Sequence, residues 1–579
     1  MLVDHQGFIA YVEKLKSLPP RSFVGLDLET TGLKPWAGAR AFLVGLSSAE
    51  LGEIAYYLTE ESGFLLKHLV ELKNVRWVAH KAMFEMSFFD VQFGLEFVGD
   101  VWDSMVFARV EFNDHRSYRL EACAERAGLD CKYKPAMDWL EENGPKYHEM
   151  PRDLVVPYVE LDAKICRQLA EHQLAVFKDW EQNSPHPISA VVKLELQTTK
   201  NLYAMVKAGI RLNLEYMEQA TRFEHNRIGI IEDNFKQDYG LDFVDSAKFL
   251  TPIFEKEGLK YGVTEKGNAS FAAAALKVAG KDHPLVKSIT AHRDALKRHG
   301  TYWLGLKEYA FNGELHPDIF QTGAANFRMS IKDPALQTLP DDSEDPDCVF
   351  PIRRALIARE GCHLVVFDWS QMELGFMADE AEDMLMIERI RSGFDFHKDI
   401  SAQANVPRSQ AKQGNFCRRY GGGVARVAAT LGIEMETAAR LCKMMDEQSP
   451  DVTRYNRGLI NYAKRAPYIC NWLGRRYHFD RGFEFKAPNY RSAGGCAEII
   501  RIAIQDIRPF LLAERKDSRT EIVLAVHDEL DCNFAQEDLR LIPEVRRLMV
   551  EAHRSRKHLV IPVSVSIGKN LHDQEAWAA

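Results

Sequence analysis

The chain has 579 residues, 46% of them hydrophobic and 27% charged, with ten cysteines and a formal net charge of −9. That length exceeds one ordinary core, so two or more domains are expected, and the lack of any run of about twenty apolar residues excludes an ordinary membrane-spanning helix. The first residues carry no basic segment followed by an apolar one, so no secretory leader is read, and irregular cysteine spacing without a paired C-x-x-C favours reduced thiols over a disulfide frame or a zinc site.

From the N-terminus, Phe23-Val-Gly-Leu-Asp27-Leu-Glu29-Thr30-Thr31-Gly32-Leu33 alternates as a strand that closes in a glycine turn. A period of two puts Asp27 and Glu29 on one face. Adjacent carboxylates repel unless a cation joins them, so the pair predicts a metal site; two solvated acids on an edge strand are the plainer alternative for an isolated Asp-x-Glu. Residues 75–80 read as a further strand, and Lys81-Ala-Met-Phe84-Glu85 as the start of a helix. Asp103 follows Val101-Trp102, while Tyr158 and Asp162, four residues apart, share a helical face. The polar break Gln182-Asn-Ser-Pro-His-Pro187 predicts a domain boundary near residue 185.

Beyond it, residues 188–320 read as mainly helical, with helices over 194–206 and 271–278 and a short extended piece at 209–213. The apolar run Leu364-Val-Val-Phe367 then leads into Asp368-Trp-Ser-Gln-Met-Glu373-Leu, and a second run, Ile522-Val-Leu-Ala-Val526, into His527-Asp528-Glu529. Each is a buried-looking strand delivering a carboxylate at its end. Brought together, Asp368 and Asp528 make a divalent-metal clamp suited to in-line phosphoryl transfer. Between them Arg408, Lys412, Phe416 and Tyr420 recur every four residues along one helical face. Cations at two of the four positions disfavour burying that face, and cations at one end with rings at the other suit the phosphates and base of a nucleotide. His397 either adds a phosphate contact or is structural. In a chain of net negative charge any nucleic-acid footprint must be local, and the basic candidates are Arg418-Arg419, Lys464-Arg465, Arg475-Arg476 and Arg491.

From about residue 193 to the C-terminus these motifs resemble, in order and context, the family A (polymerase I-like) DNA polymerases. Asp368 to Leu374 resembles motif A, Arg408-xxx-Lys412-xxx-Phe416-xxx-Tyr420-Gly421 motif B, and Val526-His-Asp-Glu529 motif C. Thr322-Gly323, Arg328-Met-Ser330 and Pro334-Ala-Leu-Gln337-Thr-Leu-Pro340 extend the resemblance upstream, and His283-Pro-Leu285, His292-Arg293 and Thr301-Tyr302 look like the thumb of the family. Asp27-x-Glu29-Thr-Thr-Gly-Leu, followed in order by Glu85, Tyr158 and Asp162, resembles the DEDD-type 3′–5′ exonucleases.

The resemblance implies an α/β multidomain chain: a ribonuclease H-like 3′–5′ exonuclease domain over residues 1–185, then a right-hand polymerase domain over residues 186–579. Its thumb is expected at about 190–320, its palm at about 321–395 and 485–579, and its fingers at about 396–484. It also implies template-directed DNA synthesis with proofreading, using two Mg²⁺ per active site, replaceable by Mn²⁺. Asp368 and Asp528 would hold one set, with Glu529 as a local helper; Asp27, Glu29, Glu85 and Asp162 would hold the other, with Tyr158 orienting the attacking water. Arg408, Lys412, Phe416, Tyr420, Glu373 and His397 would meet the incoming dNTP, Glu373 by blocking a ribose 2′-hydroxyl. Phe416, where some relatives carry Tyr, implies discrimination against chain terminators. Arg328, Gln337, Asn489, Arg491 and His527 would meet DNA. The implied partners are primer–template DNA, dNTPs and replication accessory proteins, for a monomer without membrane association in a bacterial or phage-infected cytoplasm.

Four positions depart from the family pattern: Glu85 stands for the usual Asp, Lys81 for Asn, Gly375 for Arg and Ala493 for Gln. The compact build and divergent motifs look phage-like. Three alternatives remain open at this stage: the same polymerase with a weakened nuclease; a single-subunit RNA polymerase, disfavoured by Glu373; and a non-catalytic DNA-binding replication subunit, disfavoured by Asp368, Lys412 and Asp528.

Overall fold

In the computed structural model, which describes residues 1–264, 266–280, 282–342, 345 and 348–578, the N-terminal unit is built on five strands. These are β1 (Ser22–Thr30), β2 (Ala41–Ser48), β3 (Gly52–Tyr57), β4 (Val75–Ala79) and β5 (Asp100–Asp103), in the order β3-β2-β1-β4-β5. β1 pairs antiparallel with β2 and parallel with β4, so the sheet is mixed. β4 pairs only with residues 22–25 of β1, so Asp27 and Glu29 are paired on the β2 side alone. Glu29 is nonetheless buried and Asp27 half-buried, unlike the two solvated acids of the plainer alternative. On β1, Val24, Leu26 and Leu28 bury into one core with Leu46, Leu66 and Trp77.

Helices α1 (Met83–Phe93), α2 (Ser104–Glu111) and α3 (Arg152–Asn183) accompany the sheet. α3 reaches it at backbone range because two sheet positions lack side chains. A Cβ on Gly25 would stand 1.9 Å from the Ala163 carbonyl oxygen, and one on Gly45 would stand 2.5 Å from that of Val159. That contact fixes the height of α3, and with it Tyr158 and Asp162, against the strand carrying Asp27 and Glu29.

α3 ends at Asn183, and residues 184–188 lead into α4 (Ser189–Ala208). The junction is packed: Phe23, Val78, Trp102 and Phe107 share a hydrophobic cluster with Ile188, Phe327, Tyr477 and Tyr490. A helical region follows, containing α5 (Leu214–Tyr239) and α6 (Pro284–Leu296); α5 starts where the Asn213 side chain accepts the Tyr216 N–H, a cap worth about 1 kcal/mol. β6 (Asp318–Phe320) and β7 (Ser330–Lys332) form a ribbon.

The second large sheet is antiparallel throughout. It contains β8 (Cys362–Trp369), β9 (Glu521–Val526), β10 (Glu529–Ala535), β11 (Val563–Gly568) and β12 (Gln574–Ala576), in the order β9-β10-β8-β11-β12. Between β8 and β9 run α7 (Met372–Glu380), α8 (Phe396–Ala404), α9 (Arg408–Arg419) and α10 (Ala487–Glu514), with shorter elements among them. Val365, Phe367, Trp369, Leu524, Ile499 and Ile502 form the centre of its core. β8 runs two residues past the apolar sequence that predicts it, through Asp368 and Trp369, since the pairing with β10 and β11 continues there. Among the described residues no helix is long and apolar enough to cross a membrane.

Candidate active sites

β9 and β10 are joined by the two-residue turn His527-Asp528, with Val526 facing Glu529. His527 takes φ +53°, the left-handed conformation that tight hairpins require and that His enters more readily than most residues. On the adjoining strand Asp368 is the cross-strand neighbour of Glu529, and the Trp369 N–H donates to the Asp528 carbonyl at 3.0 Å. Backbone hydrogen bonds therefore hold the two acids of the expected clamp at one end of the sheet. Burial, reinforced by the Asp528 charge and opposed by Lys412, pushes the Asp368 carboxyl up to about 6.

Asp531 is an acid that the motif reading missed. It lies two residues beyond Glu529 on β10, on the same face, and is fully buried with neither carboxylate oxygen hydrogen-bonded among the described residues. Burial lifts it to about 7; burial and then Asp531 lift Glu529 to about 9, against the pull of Arg353, whose Nη1 lies 3.9 Å from Glu529. The alternation Glu529-Leu530-Asp531 in a strand was the available signal.

On α9, Arg408 and Lys412 are exposed, while Phe416 and the C-cap residue Tyr420 are half-buried with rings stacked at 5.7 Å. Arg408 pairs with Asp395 at 2.9 Å. Of the two readings of His397, a phosphate contact or a structural residue, the structure bears on its charge. His397 is 4% exposed, its Nδ1 lies 3.2 Å from Asn415 Nδ2, and burial with the Lys412 charge lowers it to about 4. A neutral imidazole offers a hydrogen bond there and no charge.

Glu373 is held from three sides. Arg328 Nη2 donates to one carboxylate oxygen at 2.8 Å, the Tyr420 hydroxyl donates to the other, and Ser492 Oγ stands 3.4 Å from the latter. Residues assigned separately to DNA, sugar and base contacts are thus one cluster. The Gln337 side chain bonds the Ile331 N–H and the Ala525 carbonyl, and Asn489 accepts from Asn326 at 3.2 Å.

The expected basic footprint is largely internal. Arg491 is neutralised by Glu380 at 2.7 Å and bonds the Cys470 carbonyl. Arg418 pairs with Asp446, Arg419 is buried against Asn415 and the Met445 carbonyl, Arg475 is fully buried, and Arg476 lies 3.7 Å over the Trp180 ring. Lys464 and Arg465 are exposed. Of the departures, Gly375 sits in tight space, where a Cβ would meet the side chains of Leu559 at 3.2 Å and Ile561 at 3.3 Å, and Ala493 is fully buried.

In the N-terminal unit the four acids act on one another through space. Burial raises Asp27 to about 7. Burial, then Asp27 and Asp162, hold Glu29 well above the carboxylate range; burial and Asp27 do the same to Asp162 and to Glu85. Tyr158 is raised by burial and then by Asp162, so its phenol keeps its proton. Asp103 faces elsewhere: its carboxylate accepts the N–H groups of Lys81, Ala82, Met105 and Val106 at 2.9–3.3 Å, which fixes the turn before α1. Lys81, at φ +71°, sends its Nζ to Asp318 of β6 at 3.2 Å.

Among the described residues no three His, Cys, Asp or Glu side chains stand as a finished metal cage. The donors nonetheless fit a hard divalent cation. They are oxygen-only, buried or half-buried and mutually repelling, and one oxygen of Glu85 and both of Asp531 lack partners.

A family profile for DNA polymerase family A matches residues 214–573. The DNA polymerase I of Chloroflexus aurantiacus is 25% identical over 609 aligned positions, covering 97% of this chain and 62% of its own. The DNA polymerase of Mycobacterium phage D29 is 28% identical, covering 60% of this chain and 57% of its own. The chain therefore spans less than two thirds of the length of these relatives. The solved POL domain of Pol1 from M. smegmatis, in complex with DNA primer-template and dNTP, matches the fold with a TM-score of 0.79 at 24% identity over 99% of both chains. The profile match takes in the Asp368–Asp528 pairing, the α9 face and the Glu373 cluster, and by that match this chain belongs to DNA polymerase family A.

Proposed function

We propose that the chain is a template-directed DNA polymerase that adds dNTPs to a primer 3′ end, with an associated 3′–5′ proofreading exonuclease. The observation that carries the reading is the backbone-locked juxtaposition of Asp368 and Asp528 opposite Lys412. Asp368 and Asp528 are the residues to hold Mg²⁺, which when bound lowers the pKa of a primer hydroxyl and screens phosphate charge. Lys412 and Arg408 meet the phosphates of the dNTP, Phe416 stacks on its base, and neutral His397 adds a hydrogen bond. Glu373, immobilised by Arg328, Tyr420 and Ser492, presents a fixed wall to a ribose 2′-hydroxyl. In this reading the antiparallel sheet is a palm, the segment around α8 and α9 the fingers, and the region of α5 and α6 a thumb. The chain works as a monomer on primer–template DNA in the cytoplasm.

For the nuclease, Asp27, Glu29, Glu85 and Asp162 are the residues to hold divalent ions, and the protonated Tyr158 hydroxyl orients the attacking water. Support comes from four acids, Glu29 and Glu85 buried and Asp27 and Asp162 half-buried, on a ribonuclease H-like arrangement of strand and helix with an orphaned Glu85 oxygen. A second reading, the same polymerase with a weakened nuclease, is favoured by Lys81 and Glu85 standing where Asn and Asp are usual.

One assay decides the main reading. With Mg²⁺ and dNTPs the wild type is expected to extend a matched primer and Asp528→Ala is not; wild-type inactivity would remove the proposal. A 3′-labelled mismatched primer without dNTPs should be shortened by the wild type and left intact by Asp27→Ala/Glu29→Ala; equal labels would select the second reading.

A further inference from the structure

We infer that Asp318, in the polymerase part of the chain, is a positioning residue for the nuclease centre: its carboxylate keeps the Lys81 amine away from the acids that take metal. This rests on the nuclease reading above.

The Lys81 backbone cannot follow its side chain. Its N–H is tied to Asp103 Oδ1 at 3.1 Å in a left-handed turn directly before α1, which carries Glu85. Only the four-carbon stem is free, and it carries the amine to 3.2 Å from Asp318 Oδ2 and 5.0 Å from the Phe320 ring. Asp318 is itself placed by the docking of the two units. Lys34 Nζ stands 3.7 Å from its other oxygen, and Trp36 stacks on His316 at 4.5 Å with planes 10° apart. With Asp318 gone, the Lys81 stem is free to turn toward α1, which carries Glu85 with its unpartnered oxygen. An ammonium there supplies the positive charge that a cation would otherwise bring, and so competes with it. Lys81 and Asp318 are each about one-third exposed, so their ion pair contributes little to stability and its loss leaves the fold intact.

The test is calorimetric titration of Mn²⁺ alone into the full chain on an Asp368→Asn/Asp528→Asn background, so that only the nuclease centre takes up metal. Asp318→Asn should weaken Mn²⁺ binding about tenfold, the size of effect typical of outer partners of metal ligands, with an unchanged melting temperature. Asp318→Glu should bind like the parent. Adding Lys81→Met to Asp318→Asn should restore the parent affinity, and adding Lys34→Met should not. On the chain with an intact polymerase centre, shortening of a labelled primer should follow the same order while primer extension stays level. Unaltered Mn²⁺ affinity in Asp318→Asn, or failure of Lys81→Met to restore it, overturns the inference and leaves the nuclease reading standing. A parent without any Mn²⁺ binding that Asp27→Ala removes overturns both.

Discussion

Arg475 and Glu195, far apart in sequence, form an ion pair with no solvent exposure at either side chain. Arg475 also bonds both oxygens of Glu498, one of them at 2.9 Å, and Arg501 packs against the same two acids. The group pins α4, the hairpin around residues 469–477 and α10 to one another. Removing one charge leaves its partner buried and uncompensated, which costs roughly 3–5 kcal/mol. Arg475→Met or Glu195→Gln is expected to lose that much in denaturant unfolding.

The same group gives a pH dependence. Arg475 holds Glu498 below the ordinary carboxylate value of 4.5 in spite of burial. A carboxyl depressed in the folded state contributes stability that is present above the unfolded value and lost as pH falls through the folded one. Wild-type stability should therefore decline in acid below 4.5 with a component that Glu498→Gln, already destabilised, does not show.

Asp368→Asn and Asp528→Asn should each slow primer extension about a thousandfold, the loss of several kcal/mol of charge stabilisation. Asp368→Asn should not destabilise the metal-free protein, because the charge removed is one that burial and Asp528 already disfavour. Steady-state extension and thermal melting in EDTA separate the two effects.

Glu373→Gln should change selectivity more than rate. The amide keeps the shape of the side chain but loses the charge that Arg328 pairs with and one of the two acceptors facing Arg328 and Tyr420. Incorporation of NTPs relative to dNTPs is expected to rise by about tenfold or more, because the wall against the 2′-hydroxyl is no longer fixed. Competition assays with paired nucleotides measure the ratio.

Asp27 carries the opposite sign from Glu498. Burial lifts its carboxyl from 3.8 to about 7. Across that window the folded chain binds more protons than the unfolded one, so stability falls as pH rises and the loss is complete above it. In EDTA, Asp27→Asn should melt higher than the wild type at about pH 8 and not below about pH 4, and Mg²⁺ should narrow the difference at the higher pH.

What the sequence made legible was local. The alternation around Asp27 and Glu29 and the four-residue rhythm from Arg408 are each set by the period of a single element. Asp27, Glu29, Arg408, Lys412, Phe416 and Asp368 fall in such elements, with Tyr420 at a helix end and Asp528 in the hairpin turn. Contacts between remote segments left no comparable trace. Arg475-Arg476 reads as a surface pair by composition, and only the arrival of Glu195 and Glu498 from other helices makes the first of them interior. Arg491 escaped for the same reason, its charge being met by Glu380. Gly375 looked like a missing cation; its tight space against the Leu559 and Ile561 side chains is a packing feature the sequence did not show.

The near-touching of α3 and β1 at Gly25 has an evolutionary reach. A single methyl group there, at a place that meets no substrate, would drive into the Ala163 carbonyl and lift Tyr158 and Asp162 off their partners. If the proposed nuclease reading holds, drift at this featureless position is enough to turn a lineage mutator with all four acids, Asp27, Glu29, Glu85 and Asp162, still in place.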